Sequence, residues 1–180
     1  VVCKDKNTLD KGKVIMRLRN SMDSDIYRNL REWPYKNVKK RVIAEKFMIP
    51  KEKVNDPTYD LTDYKFFCFG GEPCYCQVIR DRHTRESIDF YDMEWNHQNF
   101  VGLNPKVSCG TAPIAKPVCL ELMKDICRTL SANIPFLRVD LYVIDGKVYF
   151  GELTFYPASG IGVFKPNEWN LRLGDMIKID

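Results

Sequence analysis

Two apolar runs, Phe136-Leu-Arg-Val-Asp-Leu-Tyr142 and Tyr149-Phe-Gly-Glu-Leu-Thr154, flank Asp145-Gly146 and carry Arg138, Asp140 and Glu152 inside segments that otherwise read as buried strands. Alternating Val, Leu, Tyr and Phe around a Gly-containing reversal predict an antiparallel hairpin. Residues i and i+2 of a strand share a face, so Arg138 and Asp140 point the same way. The side taken by Glu152 depends on the loop. A two-residue turn pairing Ile144 with Lys147 would set Asp140 opposite Gly151 and send Glu152 to the other face. An odd-length connection, with Ile144-Asp145-Gly146 as a type I turn closed by a left-handed Gly146, would bring Arg138, Asp140, Glu152 and Thr154 together. We expect an odd-length or bulged connection with Gly146 at positive φ, because only that parity brings Asp140, Glu152 and Thr154 onto the face of Arg138, where they can hold a divalent cation and a phosphate.

Composition sets the outer bounds. A chain of 180 residues, 44% hydrophobic and 29% charged, is about one average domain. No apolar run approaches the roughly 20 residues needed to span a bilayer, which predicts a soluble protein without a transmembrane segment. Val1-Val-Cys-Lys-Asp5 has neither an initiator Met nor a signal-peptide pattern and reads as a strand already under way, so we expect the protein to begin upstream. Seven cysteines, dispersed through apolar runs, read as reduced core residues of a cytoplasmic protein in preference to disulfides or zinc ligands. The net charge of +4 is uneven, with 15 Lys/Arg against 7 Asp/Glu in residues 1–53 and 13 against 17 in the remainder. No nucleic-acid-binding motif organises the basic part, which reads as a solvated face or one that attracts an anionic nucleotide or acidic polymer; nucleic acid is not an expected partner.

Along the chain, Ser21 with Asp23 and Ser24 offers N-cap chemistry for a helix ending at Trp33 before Pro34. A strand from Arg41 to Met48 follows, and the polar, turn-rich Pro50 to Pro57 is the expected hinge between two lobes. Tyr64–Phe69 and Cys74–Arg80 form a hairpin around Gly70-Gly71, Ser87–Tyr91 adds a strand, and 96–116 is a long loop of the kind that often carries function. Lys116-Pro117 opens a helix to about Ser131 with Leu122, Met123, Ile126 and Leu130 at helical spacing, and Asn167 to Ile179 forms a last helix.

An Arg-x-Asp strand, a short turn and a strand ending Glu152-Leu-Thr-Phe-Tyr-Pro-Ala-Ser-Gly160 resemble the metal-binding hairpin of ATP-grasp ligases. Arg31-Glu-Trp-Pro-Tyr-Lys-Asn37, Val42-Ile-Ala-Glu-Lys-Phe-Met48, Asp63-Tyr-Lys-Phe-Phe-Cys-Phe69 and the ending Glu168-Trp169 to Gly174-Asp175 are similar to the TupA-like ATP-grasp proteins of bacterial cell-surface polysaccharide synthesis, over nearly the whole chain. The resemblance implies an α+β ATP-grasp fold. Residues 1–48 would be part of the first subdomain, and 49–180 the second, an antiparallel sheet lobe with packed helices that carries the metal site. It implies ATP and Mg²⁺ as cofactors and activation of a carboxylate as an acyl phosphate, attacked by an amine. Expected substrates are a uronic-acid polymer or its precursor and an amino acid, in teichuronopeptide or capsule assembly. The protein would be cytoplasmic, with peripheral association with the membrane assembly machinery as a further option.

The same resemblance assigns residues. Asp140 and Glu152 match the metal carboxylates, and Thr154 stands where many ATP-grasp enzymes have an Asn ligand, its hydroxyl still able to coordinate. Magnesium suits such oxygen donors, keeping waters and bridging to phosphates. Arg138 matches the catalytic arginine that steadies the transferred phosphoryl group, with the fixed charge and forked donors this needs. Glu45, Lys46 and Met48 correspond to the adenine hinge and Asp63 to the acid holding the ribose hydroxyls, and Lys65, two residues on and on the same strand face, would lie near phosphate. Arg80, Arg82 and His83 form a basic cluster suited to phosphate or acidic substrate, and Ser159 and Gly160 an acceptor-side loop. Three departures stand out. Ala158 replaces a commonly seen Gly, Phe90-Tyr-Asp-Met-Glu-Trp95 lacks a lysine that D-alanine–D-alanine ligases carry after a similar sequence, and the Lys and glycine-rich loop that cover ATP phosphates are expected upstream of Val1, so that this stretch alone would be inactive.

Competing readings account for the same residues. Arg138 with Asp140 or Glu152 can be a buried salt bridge without a ligand. Glu45 can be a solvated edge residue, Lys65 a surface lysine, and Trp33, Trp95 and Trp169 buried aromatics instead of sugar platforms. At the level of function, a glycosyltransferase using a nucleotide-sugar would also want Mg²⁺ and carboxylates. Asp23-Ser24-Asp25 has the spacing of its Asp-x-Asp motif but reads as helix capping. A nucleotide-binding domain without turnover is the third option.

Overall fold

The computed structural model describes every residue except Asn55, Pro57, Thr58, Arg82, His83, Thr84, Pro105, Thr111 and Asp180. Two compact units divide the chain, Val1–Met48 and Ile49–Asp180.

The first unit is helical among its described residues. Helix α1 (Lys11–Asp23) starts ten residues before the predicted Ser21, because Asp10 is the stronger cap: its carboxylate accepts from the Lys13 N–H at 3.0 Å. Ser21 lies inside the helix. Asp25 then caps a separate short helix, α2 (Ile26–Leu30), accepting from the Arg28 N–H at 3.0 Å, and Arg31 ends it at φ 60°. The chain continues as a single turn over Trp33–Tyr35 that includes Pro34. Neither predicted strand of this unit forms. Val1 and Val2 are exposed and outside any ladder, and Arg41–Met48 likewise has no paired neighbour. A strand satisfies its backbone through a ladder, and no other described segment of this unit is available to supply one. Replacing Asp25 by Ala is expected to weaken α2 by about 1 kcal/mol, seen as faster amide exchange at Arg28 with the second unit unaffected.

The second unit is built on a six-stranded antiparallel sheet in the order β4-β3-β2-β1-β6-β7. Its strands are β1 (Asp63–Phe69), β2 (Glu72–Arg80), β3 (Ser87–Asp92), β4 (His97–Gln98), β6 (Phe136–Ile144) and β7 (Lys147–Thr154). Short strands β5 (Val101–Gly102) and β8 (Phe164–Lys165) pair separately. Helix α3 (Leu120–Ser131) covers one face. Leu120, Met123 and Cys127 bury against Phe66, Cys68, Cys76, Val78, Leu137, Val139 and Leu141. The helix begins after Pro117 turns the chain, and its buried stripe is 120/123/127, leaving the predicted Leu122 exposed. Helix α4 (Glu168–Asp175), shorter than predicted, helps cover the other face, where Leu173 joins Phe67, Phe69, Ile79, Ile88, Phe90 and Phe100 and the Trp169 ring stacks on Phe100 at 4.0 Å. Coverage of both faces explains why β1 is apolar from Phe66 to Phe69.

The β6–β7 hairpin has the expected positive φ at Gly146 and the expected parity, but reaches that parity through a bulge in β7 and not through an odd-length turn. Ile144 pairs with Lys147, so the connection is the two residues Asp145 (φ 49°) and Gly146 (φ 73°). Positive φ at both is the primed turn geometry that matches strand twist, and Asp-Gly favours it over the three-residue form. The parity correction falls elsewhere. Tyr142 faces Tyr149 and Leu141 faces Phe150, but Asp140 faces Glu152, so Gly151 is the extra residue of a β-bulge. A Cβ at Gly151 would sit 2.8 Å from the Tyr142 ring and 3.0 Å from the Asp140 carbonyl oxygen, a space that suits glycine.

Candidate functional site

Downstream of this bulge, Arg138, Asp140, Glu152 and Thr154 share one face of β6 and β7. The Arg138 guanidinium grips Asp140 with two bonds, Nε to Oδ1 at 2.7 Å and Nη2 to Oδ2 at 2.9 Å. The same Nη2 lies 2.7 Å from Glu152 Oε1 and 2.8 Å from Thr154 Oγ1. The Thr154 hydroxyl also donates to Glu152 Oε1 at 3.0 Å. Three oxygens from three residues thus surround one cationic nitrogen.

The neighbouring strand completes the cluster. In the β1–β6 ladder Lys65 faces Asp140, and its Nζ contacts Asp140 Oδ2 directly. Asp63, buried two residues earlier on the same face, and Gln77, buried opposite Lys65 on β2, extend the polar row. Sequence reading missed Gln77. A polar residue inside the apolar run Cys76-Gln-Val-Ile79 was the available signal. Further along β1 the same face carries Phe67 and Phe69.

Burial divides the two carboxylates. The Asp140 side chain is 2% exposed and that of Glu152 61%. Burial pushes the Asp140 carboxyl up, against the pull of the Arg138 and Lys65 charges. Partial burial raises Glu152 too, but the Thr154 hydrogen bond with the Arg138 and Lys65 charges outweighs it and lowers the group from its ordinary value. With both carboxylates ionised, two negative charges balance Arg138 and Lys65.

Hard oxygen donors on one face fit magnesium, and the Arg138 Nη2 stands where a cation touching Asp140, Glu152 and Thr154 would sit. Asp140 already has an arginine and a lysine on its oxygens, whereas Glu152 keeps a solvent-facing side. A metal at these donors therefore requires the guanidinium to move aside.

The remaining candidates belong to other elements. Glu45 and Lys46, both exposed, and Met48, half-buried, are in the first unit. Arg80 ends β2, with Nη2 3.5 Å from Asp89 Oδ2 and 3.2 Å from the Ala112 carbonyl. Arg82 and His83 fall outside the described residues. Ser159 and Gly160 lie in the turn after β7, where Ala158 (φ 49°), Ser159 (φ 57°) and Gly160 (φ 74°) are all left-handed. That conformation is the reason a glycine suits position 158. Trp33, expected to be buried, is 62% exposed in the first unit, with Lys36 over its ring. A cavity of about 650 Å³ in the first unit, lined by residues of α1, by Ser24, Asp25 and Ile26 and by the segment 35–43, contains none of the site candidates.

Among the described residues no helix is long and apolar enough to cross a membrane. No curated protein and no solved structure matches the chain. The family model of the TupA-like ATP-grasp proteins matches residues 1–178. Its span takes in both units, the α+β sheet and the charged β6–β7 face alike, and the chain belongs to the TupA-like ATP-grasp family.

Proposed function

We propose that the protein is an ATP- and Mg²⁺-dependent carboxylate–amine ligase that forms an amide through an acyl phosphate during assembly of a bacterial cell-surface polysaccharide, teichuronopeptide or capsule. Family membership supports a ligase-type ATP-grasp enzyme. The observation that carries the finer reading is the meeting of Asp140, Glu152 and Thr154 at one nitrogen of Arg138, with Lys65 alongside.

Asp140, Glu152 and Thr154 would hold the magnesium, which when bound neutralises charge on the ATP phosphates. Arg138 and Lys65 already offset the charges of Asp140 and Glu152, so a free divalent ion gains little there. Nucleotide phosphates supply the missing negative charge, and metal and nucleotide should enter together. Arg138, displaced from the carboxylates, presents its forked donors to the transferred phosphoryl group, and Lys65 offers a second cation from the adjacent strand. Glu45, Lys46 and Met48 are proposed for adenine, Asp63 for ribose, Arg80, Arg82 and His83 for the acidic substrate, and Ser159 and Gly160 for the acceptor side. The substrates would be a uronic-acid polymer or precursor and an amino acid, handled at the cytoplasmic side of the membrane. Sugar transfer finds no comparable support, since Asp25 of Asp23-Ser24-Asp25 is occupied as a helix cap.

Calorimetry tests this. ATP should bind the full-length protein with Mg²⁺ and much more weakly without it, whereas a nucleotide-sugar bound tightly with no ATP binding would overturn the ligase reading. Glu152→Gln keeps shape but removes the exposed charge. It should weaken Mg·ATP at least tenfold while changing stability by less than about 1 kcal/mol, the scale of an exposed ion pair.

A further inference from the structure

A second cluster, on the α3 face of the sheet and unrelated to the charged β6–β7 face, combines three different metal-ligating side chains. Asp89 of β3, His97 of β4 and Cys109 of the following loop place one carboxylate oxygen, one ring nitrogen and one sulfur within 4.8 Å of one another. His97 Nε2 and Asp89 Oδ1 are 3.1 Å apart. Ligand atoms on a tetrahedral zinc ion, with bonds of about 2.0–2.3 Å, stand roughly 3.3–3.7 Å from each other, so the His–Asp edge is already near that spacing.

The cluster is held in place from outside. Asp89 is 1% exposed, and its two oxygens accept from the Gly110 N–H at 3.0 and 3.2 Å, while Arg80 Nη2 stands 3.5 Å from Oδ2. The loop bearing Cys109 is pinned at Ser108, Ala112 and Ile114. Ser108 carbonyl accepts from Ile88 N–H, Ala112 carbonyl from Arg80, and Ile114 N–H donates to the Tyr91 hydroxyl. Such outer contacts fix ligand orientation in metal sites. Cys109 also lines a cavity of about 420 Å³, which gives an ion a route in.

We propose that Asp89, His97 and Cys109 form a zinc site with three protein ligands and a fourth position for water or an anionic oxygen. The cation would tie the 107–114 loop to β3 and β4. Sequence composition alone favoured seven inert core cysteines; Cys109 departs from that because it is half-buried beside a histidine and a carboxylate, unlike Cys68, Cys76 and Cys127 in the apolar core.

Cobalt is the probe, added to chelator-treated protein under a thiol-free reductant. One equivalent should bind with a thiolate-to-cobalt charge-transfer band, displaced by zinc, and zinc should raise Tm. Cys109→Ser should abolish the band and the zinc-dependent Tm rise, and His97→Ala should weaken zinc binding at least tenfold, with Cys74→Ser, in a half-buried position elsewhere, unchanged. His97 and Cys109 are accessible, so these variants should fold, as circular dichroism would verify; Asp89 is avoided because of its burial. Absence of a thiolate band in the unmodified protein, or a band that survives Cys109→Ser, overturns the site.

Discussion

Replacing Asp140 by Ala is expected to destabilise the protein by about 3–5 kcal/mol in urea titrations without any ligand, because it takes the buried carboxylate from Lys65 and leaves Arg138 only its bonds to Glu152 and Thr154. Arg138 would lose both of its bonds to Asp140, and Lys65 its contact partner, in surroundings where neither side chain is more than 11% exposed. Two neighbouring carboxylates taken alone suggest the opposite result, since removing one relieves repulsion. The structure reverses that expectation for Asp140 by putting Lys65 beside it. Glu152 keeps the milder behaviour, being largely solvated. A pairing test separates the causes: Lys65→Met in the Asp140→Ala background should recover part of the lost stability, as one buried charge no longer lacks a partner. An Asp140→Ala variant as stable as the parent would mean that water reaches these cations, and the buried network would not be a stability element.

Gly151→Ala is expected to cost about 1–3 kcal/mol, the range of overpacking, and to weaken Mg·ATP binding at least tenfold although residue 151 offers no ligand. The added methyl would meet the Tyr142 ring, which can rotate, and the Asp140 carbonyl, which cannot move without carrying Asp140 along. The bulge sets which face Glu152 takes, so relieving the clash by returning to regular pairing would move Glu152 away from Asp140. Tyr142→Ala combined with Gly151→Ala should restore some stability but not nucleotide binding, since the backbone contact persists. Full recovery of binding in the double variant would show that the Tyr142 ring alone mattered and that the register is set elsewhere.

The amino-acid sequence by itself determined the β6–β7 hairpin, the placement of Arg138 and Asp140 on one face, the β1–β2 hairpin at Gly70-Gly71 and the family. Each is a local or near-local signal: strand periodicity, turn chemistry, or motifs in order. Tertiary structure decided the rest. Asp145-Gly146 follows its own turn preference, so the parity that unites Asp140 with Glu152 is restored at Gly151, where the packing of Tyr142 and the Asp140 carbonyl leaves no room for a Cβ. Lys65 reaches Asp140 only because β1 lies between β2 and β6, a pairing across 75 residues that periodicity cannot reveal. Arg41–Met48 shows the converse. Its residues are good strand formers, but strand formation is a property of a pair, and no described neighbour in its own unit supplies the second member. The meeting of Asp89, His97 and Cys109 is likewise made by the loop's hydrogen bonds to β3, which have no counterpart in the spacing of those residues along the chain.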